Sequence, residues 1–146
     1  GIPVMGHIGL PPQSVHQFGG YKVQGKNYLD SRQIRQDARD LQNAGIFALV
    51  MEGIPGELAE EITAELKIPT IGIGAGVKCD GQILVLHDLL GLNQDFVPKF
   101  VKQYAQLADS LKSAVSEYIQ EVRDEAFPGQ EHTYQSKQGV LKQVND

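Results

Sequence analysis

Glu52 stands directly after an unbroken apolar run, Ile46-Phe47-Ala48-Leu49-Val50-Met51. A carboxylate held at the rim of an apolar core is placed to take a proton from a bound substrate. The alternative is a strand-end glutamate that caps the next turn or pairs with a lysine. Position alone leaves both open. His7 sits between Gly6 and Gly9, where missing side chains let the backbone approach a ligand closely. An imidazole there could donate a hydrogen bond to a substrate carboxylate or oxyanion, or be a satisfied structural histidine. The pair His87-Asp88 offers metal binding, or a base with its orienting carboxylate. Adjacent residues on a strand face opposite ways, so a loop-anchoring role is expected there. His16 and His132 fall in expected loops and point to no chemistry alone.

Two glycine-rich stretches imitate nucleotide-binding motifs. The run Gly20-Tyr21-Lys22-Val23-Gln24-Gly25-Lys26-Asn27 approximates a phosphate-binding loop. Its last position is Asn, without the hydroxyl that would meet magnesium, and no apolar strand leads into it. Gly72-Ile73-Gly74-Ala75-Gly76 has the opening of a dinucleotide fingerprint. Val77 stands where a third glycine belongs, and no long helix is expected to follow. A tight strand-end turn is the expectation.

The elements that must position these groups follow from the apolar patterning. Residues 2–5 are apolar and bounded by glycines, so they predict a buried strand. Residues 10–26 hold Pro11, Pro12, Gly19, Gly20 and Gly25 and predict a long loop of the kind that often carries function. A helix is expected to open at Asp30 or Ser31, show Ile34, Ala38 and Leu41 on one face, and stop at Gly45. Residues 46–51 are continuously apolar, as in a strand covered on both sides. Residues 55–66 predict a helix with Leu58, Ile62 and Leu66 on one face. Residues 69–73 and 83–86 predict two further strands. The short spacing between those strands allows only a very short helix. Residues 98–127 carry the longest helical stripe: Phe100, Tyr104, Leu107, Leu111, Val115, Tyr118 and Val122. Residues 135–146 are polar and aperiodic and predict a loose tail.

Strands alternating with helices imply an α/β fold with a parallel sheet. Four strands buried on both faces fit half of a barrel that needs eight strands and about 250 residues. They equally fit a small doubly wound sheet.

Composition narrows the class. With 41% hydrophobic and 21% charged residues in 146, the chain reads as one ordinary globular domain. A net charge of -5 argues against nonspecific nucleic-acid binding, which needs Lys and Arg against phosphates. No apolar run approaches the roughly 20 residues of a membrane span, and no secretory signal is visible. Cys79 is the single cysteine, so no intrachain disulfide can form. A cytoplasmic location is the expectation.

Several of these segments, taken together, resemble the ketopantoate hydroxymethyltransferase family. Gly6-His7-Ile8-Gly9-Leu10, Pro12-Gln13-Ser14-Val15 and Gly19-Gly20-Tyr21-Lys22-Val23-Gln24-Gly25 look like one continuous family signature. Leu49-Val50-Met51-Glu52 resembles the strand that carries the family's catalytic glutamate. The stretches from Pro69 through Gly76 and from Asp80 through Asp88 match two further family segments in order, and Phe127 through Tyr134 looks like the usual family ending. The likeness covers residues 1–134.

The resemblance implies a (β/α)8 barrel of the phosphoenolpyruvate/pyruvate-type superfamily, with residues 1–134 forming its C-terminal half. It implies transfer of a one-carbon unit from 5,10-methylenetetrahydrofolate to 2-oxoisovalerate, giving ketopantoate for pantothenate synthesis. By position Glu52 matches the proton acceptor and His7 a histidine that contacts substrate. A divalent metal, magnesium, is expected to hold the keto acid and stabilise its enolate. The family's acidic metal ligands and a substrate lysine belong to the first half of the enzyme, so no residue here is assigned as a ligand. The chain opens at the family's fifth barrel strand, and a partner N-terminal half of the same enzyme is expected, within a homo-oligomer. Small molecules are the expected ligands, with neither nucleic acid nor membrane. Two alternatives compete: a non-catalytic half-barrel, and a related metal-enolate C–C bond enzyme of the isocitrate lyase type. The latter carries a cysteine-bearing catalytic loop that is not found here.

Overall fold

The computed structural model describes residues 1–10 and 23–136. Among them the elements run β1 (Met5–Gly9), α1 (Tyr28–Asn43), β2 (Ala48–Glu52), α2 (Gly56–Glu65), β3 (Thr70–Ile73), β4 (Gly81–Gln82), α3 (Leu86–Leu89) and α4 (Leu107–Arg123). The four strands form one parallel sheet in the order β1-β2-β3-β4. This is the α/β parallel sheet expected from the alternating pattern. The family-signature residues 12–15 and 19–22, His16 and most of the expected tail lie outside the described residues.

Alternation along the strands gives the sheet two unlike faces. Ile8, Leu49 and Met51 pack with Ile34 and Ala38 of α1 and Leu58, Ala59 and Ile62 of α2 in one buried cluster. Gly6 faces α1, and a Cβ there would come within 2.7 Å of Ile46 Cδ1. The other face carries His7, Val50, Glu52, Ile71 and Ile73. Hydrophobic burial of this kind stabilises at roughly 25 cal/mol per Å2, so the helix-covered face holds the sheet. The opposite face is left for other work.

Four expected boundaries are corrected. The first strand occupies Met5–Gly9, not residues 2–5. Its glycines read as breaks in the sequence, yet Gly6 is what lets α1 close on the sheet. The first helix begins at Tyr28, because Asn27 caps it by accepting the Asp30 N–H at 2.9 Å. Gly45, at φ +91°, ends it as expected. The fourth strand is Gly81–Gln82, not residues 83–86. Asp80 fixes it: its Oδ2 accepts from the Thr70 N–H at 2.8 Å and the Thr70 hydroxyl at 3.0 Å. This brings Gly81 and Gln82 beside Ile71 and Gly72. The pairing ends when Ile83 N–H reaches Gly72 O, and the chain then turns into α3.

The long helix starts at Leu107 instead of residue 98. Residues before it are drawn back onto α3 by bonds from Tyr104 N–H to Leu89 O at 2.8 Å and Leu107 N–H to Leu90 O at 3.0 Å. Of the α4 stripe, Leu111, Val115, Tyr118 and Val122 all stay exposed, and only Ala108 of that helix is buried. No helix of the described residues is long and apolar enough to cross a membrane.

Candidate active site

The C-terminal edge of the sheet gathers the candidate residues. Glu52 is the last residue of β2, and His7 is the middle residue of β1, opposite Val50. His7 therefore lies within a strand, where the sequence suggested a position just past one. Register puts His7 and Glu52 on the same face, one diagonal step apart. His7 Nε2 meets Glu52 Oε2 at 3.0 Å, with 34% of the imidazole and 15% of the carboxylate side chain exposed. Two residues weighed separately in the sequence are thus directly bonded.

The backbone around Glu52 is tied on both sides. Its carbonyl accepts the Leu10 N–H at 2.9 Å. The next residue, Gly53, donates its N–H to Ile73 O and accepts the Gln24 N–H, each at 2.9 Å. Gly9 makes this possible. It adopts φ +95°, and a Cβ there would lie 2.1 Å from the Glu52 carbonyl oxygen. A side chain so anchored keeps its position when a substrate binds.

Glu52 forms part of the wall of a cleft of about 960 Å3. Asp88, Asn93, Phe96, Lys99 and Phe100 also line it. Asn93 Nδ2 donates to Asp88 Oδ1 at 2.6 Å. The Asp88 carbonyl also accepts the Gly91 N–H, and the His87 carbonyl accepts the Leu92 N–H. The loop-anchoring role expected of the pair is realised, on α3 and not at a strand end. Asp88 also faces the cleft, whereas His87 is not among the residues lining it. Lys99 and Phe100 were not read as site residues because a helix was expected over residues 98–127, and Phe96, just before it, was given no role. Their signal was Phe-Val-Pro-Lys-Phe, an aromatic pair around a proline, which suits a loop that walls a site.

The other sequence candidates resolve simply. The Gly74-Ala75-Gly76 stretch is a tight turn: Gly74 takes φ +63° under the Phe100 ring, and Gly76 packs on Gly56. The phosphate-loop imitation falls partly outside the described residues. Cys79 lies against Gly72 on the helix-covered face. Burial pushes its thiol up, while a hydrogen bond with Thr63 pulls the other way. That is the setting of an unreactive structural cysteine. Among the described residues no three His, Cys, Asp or Glu side chains gather as a metal-binding group.

Comparison with known proteins agrees with this architecture. The family model for ketopantoate hydroxymethyltransferase matches residues 1–130. The chain is 59% identical over 133 residues to 3-methyl-2-oxobutanoate hydroxymethyltransferase of Syntrophotalea carbinolica, covering 91% of this chain and 50% of that protein. It is 52% identical over 143 residues to the protein of the same name from Clostridioides difficile, covering 98% of this chain and 52% of that one. The chain spans about half the length of the curated relatives it matches.

Proposed function

The chain belongs to the ketopantoate hydroxymethyltransferase family, and from that premise we propose that it supplies the base-bearing half of a hydroxymethyltransferase active site. The acceptor is 3-methyl-2-oxobutanoate and the donor 5,10-methylenetetrahydrofolate. Glu52 takes the proton from C3, the carbon next to the keto group. Water adds to the donor's one-carbon unit and its two C–N bonds break, so that tetrahydrofolate leaves with the nitrogens protonated and the carbon is left at the aldehyde level. The electron pair on C3 then bonds to that carbon, and the new alkoxide takes up the proton held by Glu52 to give ketopantoate. His7 steadies the Glu52 carboxylate through the 3.0 Å contact and contacts the keto acid.

The observation that carries this reading is the Glu52 carboxylate itself. It is fixed by its backbone, bonded to an imidazole and open to a large cleft at the strand ends, where parallel α/β enzymes build their sites. A positioned base of this kind typically contributes about 10^2- to 10^4-fold in rate.

The same reading holds that the sheet is half of a (β/α)8 barrel, completed by residues outside these 146, in a cytoplasmic homo-oligomer. Magnesium belongs to it as a cofactor whose ligands come from that completing half. The described residues do not form a set that fits it, and no step above is routed through it.

Solvent exchange tests the assignment. In a complete barrel incubated with the keto acid in deuterated water and no folate, the C3 hydrogen exchanges. In Glu52→Gln, which keeps shape but loses the basic oxygen, exchange falls at least about 10^2-fold. Exchange at the wild-type rate in that variant refutes Glu52 as the base.

A further inference from the structure

The glycine-rich turn after β3 takes no part in the reaction above, yet its packing ties it to the base. It runs Gly74-Ala75-Gly76 and leaves the strand at Ile73, the residue paired in register with Glu52. Each of its three residues is held by something different. Gly74 lies under the Phe100 ring, where a Cβ would come within 2.8 Å of Cδ1 and 2.9 Å of Cγ. Ala75 has no exposed surface and belongs to the core cluster. Gly76 meets the first residue of α2, so that a Cβ on it would lie 2.9 Å from Gly56 Cα. The Gly76 carbonyl also accepts from Gln82 Nε2 at 2.8 Å. On the other side of Ile73 stands the base. The Ile73 carbonyl accepts the N–H of Gly53, the residue after Glu52, at 2.9 Å. Phe100 is itself held in its segment: Val101 N–H bonds to Pro98 O at 2.9 Å and Tyr104 N–H to Leu89 O at 2.8 Å.

We propose that Phe100 is a positioning residue for Glu52, acting through the turn at Gly74 and the bond between Gly53 and Ile73. The inference rests on the reading of Glu52 as the base and adds to it a brace that keeps the base in place. A side chain on the last residue of a strand is only as fixed as the peptide that follows it. Three backbone bonds beyond the ladder fix Glu52 and Gly53: two join them to Leu10 and Gln24, and the third joins them to Ile73. That third bond is the tie to β3, and it holds while the turn after Ile73 holds. Phe100 presses on the first residue of that turn. Any side chain at position 74 would displace the ring, so the glycine there is what admits it. Gly76 against Gly56 closes the same circuit from the far side, because residues 53–56 lead from the base into α2. Phe100 also lines the cleft, and the test separates a brace from a substrate contact.

The test uses a complete barrel and two exchange readouts. Deuterium exchange of the Gly53 N–H, followed by mass spectrometry, reports the brace. Folate-free exchange of the keto acid's C3 hydrogen reports the base. Phe100→Ala should speed Gly53 N–H exchange at least about tenfold. It should slow C3 exchange at saturating keto acid roughly tenfold, less than a displacement near 1 Å costs. The keto-acid KM should stay within about twofold of wild type, since only the base has moved. Phe100→Leu keeps bulk over Gly74 and should restore most of both readouts. Gly74→Ala, whose methyl pushes the ring away, should reproduce Phe100→Ala and carries the test if that variant does not fold. The double variant should be no slower in C3 exchange than the slower single one, because both break one contact. A folded Phe100→Ala or Gly74→Ala protein with wild-type Gly53 protection overturns the brace, even where Glu52→Gln shows Glu52 to be the base. A loss confined to the keto-acid KM also overturns it, by making Phe100 a substrate contact. So does a loosened Gly53 N–H with wild-type C3 exchange in Phe100→Ala, where Glu52→Gln abolishes that exchange. A loosened Gly53 N–H in Phe100→Ala together with wild-type C3 exchange in Glu52→Gln supports the brace and refutes the base.

Discussion

Gly9 and Gly45 form a matched pair for testing how tightly Glu52 is held. Both have left-handed backbones, φ +95° and φ +91°. A Cβ at Gly45 would meet nothing within 4 Å, whereas at Gly9 it would lie 2.1 Å from the Glu52 carbonyl oxygen and 2.9 Å from Ile54 Cγ2. Alanine at either site carries the cost of a positive φ, of order 1–3 kcal/mol. At Gly9 it also forces the ends of β1 and β2 apart, because the nearest atom belongs to backbone. The bond from Leu10 N–H to Glu52 O then loses its geometry, adding about 1 kcal/mol. Gly45→Ala should therefore cost about 1–3 kcal/mol in denaturant unfolding of a complete barrel and leave C3 exchange unchanged. Gly9→Ala should cost at least about 1 kcal/mol more and slow exchange as well, since a displaced base loses about 10^2-fold or more for a shift near 1 Å. The two glycines are compared at the same pH and temperature. A Gly9→Ala protein no less stable than Gly45→Ala, with normal exchange, refutes the claim that the strand-end backbone positions the base.

Three further outcomes follow from the same geometry. His7→Ala removes the partner of Glu52 Oε2, so exchange should fall roughly tenfold to a hundredfold. Unchanged exchange in a folded variant makes His7 structural. Asp80→Ala strips two hydrogen bonds from Thr70, a residue with no exposed surface. It should lower stability by about 1.5–3 kcal/mol without slowing exchange, because Thr70 begins the strand whose other end adjoins Glu52. Slowed exchange in a folded Asp80→Ala protein contradicts that separation. Residues 1–146 alone should self-associate, because β1 and β4 are sheet edges and the apolar stripe of α4 is exposed. A compact monomer with cooperative melting in sedimentation and calorimetry speaks against this.

The sheet was legible wherever local pattern and tertiary packing agree. The run through Met51 read as a strand covered on both faces, and its residues 48–51 are all buried; Gly45 read as the end of a helix, which it is. Errors arose where a distant partner decides. Gly6 is a strand residue because α1 lies on it, a fact about residues more than thirty positions away. The fourth strand sits at Gly81–Gln82 because Asp80 is pinned to Thr70, and no hydropathy window registers one carboxylate bond. Likewise the first turns of the expected long helix carry the right spacing, yet backbone bonds to α3 hold them in another shape.

Glu52 was legible for a simpler reason. A charged residue directly after a buried strand must lie at the sheet's edge, and in a parallel sheet that edge is the one available for chemistry. Its link to His7 was not legible, because pairing depends on register, and register is set by packing across the sheet. Once β1 and β2 align Gly9 with Glu52, an imidazole two residues earlier must fall on the same face, one diagonal step from the carboxylate. The two glycines beside His7 then have distinct tasks. Gly6 admits the helix on one side, and Gly9 admits the Glu52 carbonyl at the strand end. What reads in the sequence as glycines admitting a ligand is a strand whose glycines bring the Glu52 carboxylate and the His7 imidazole together.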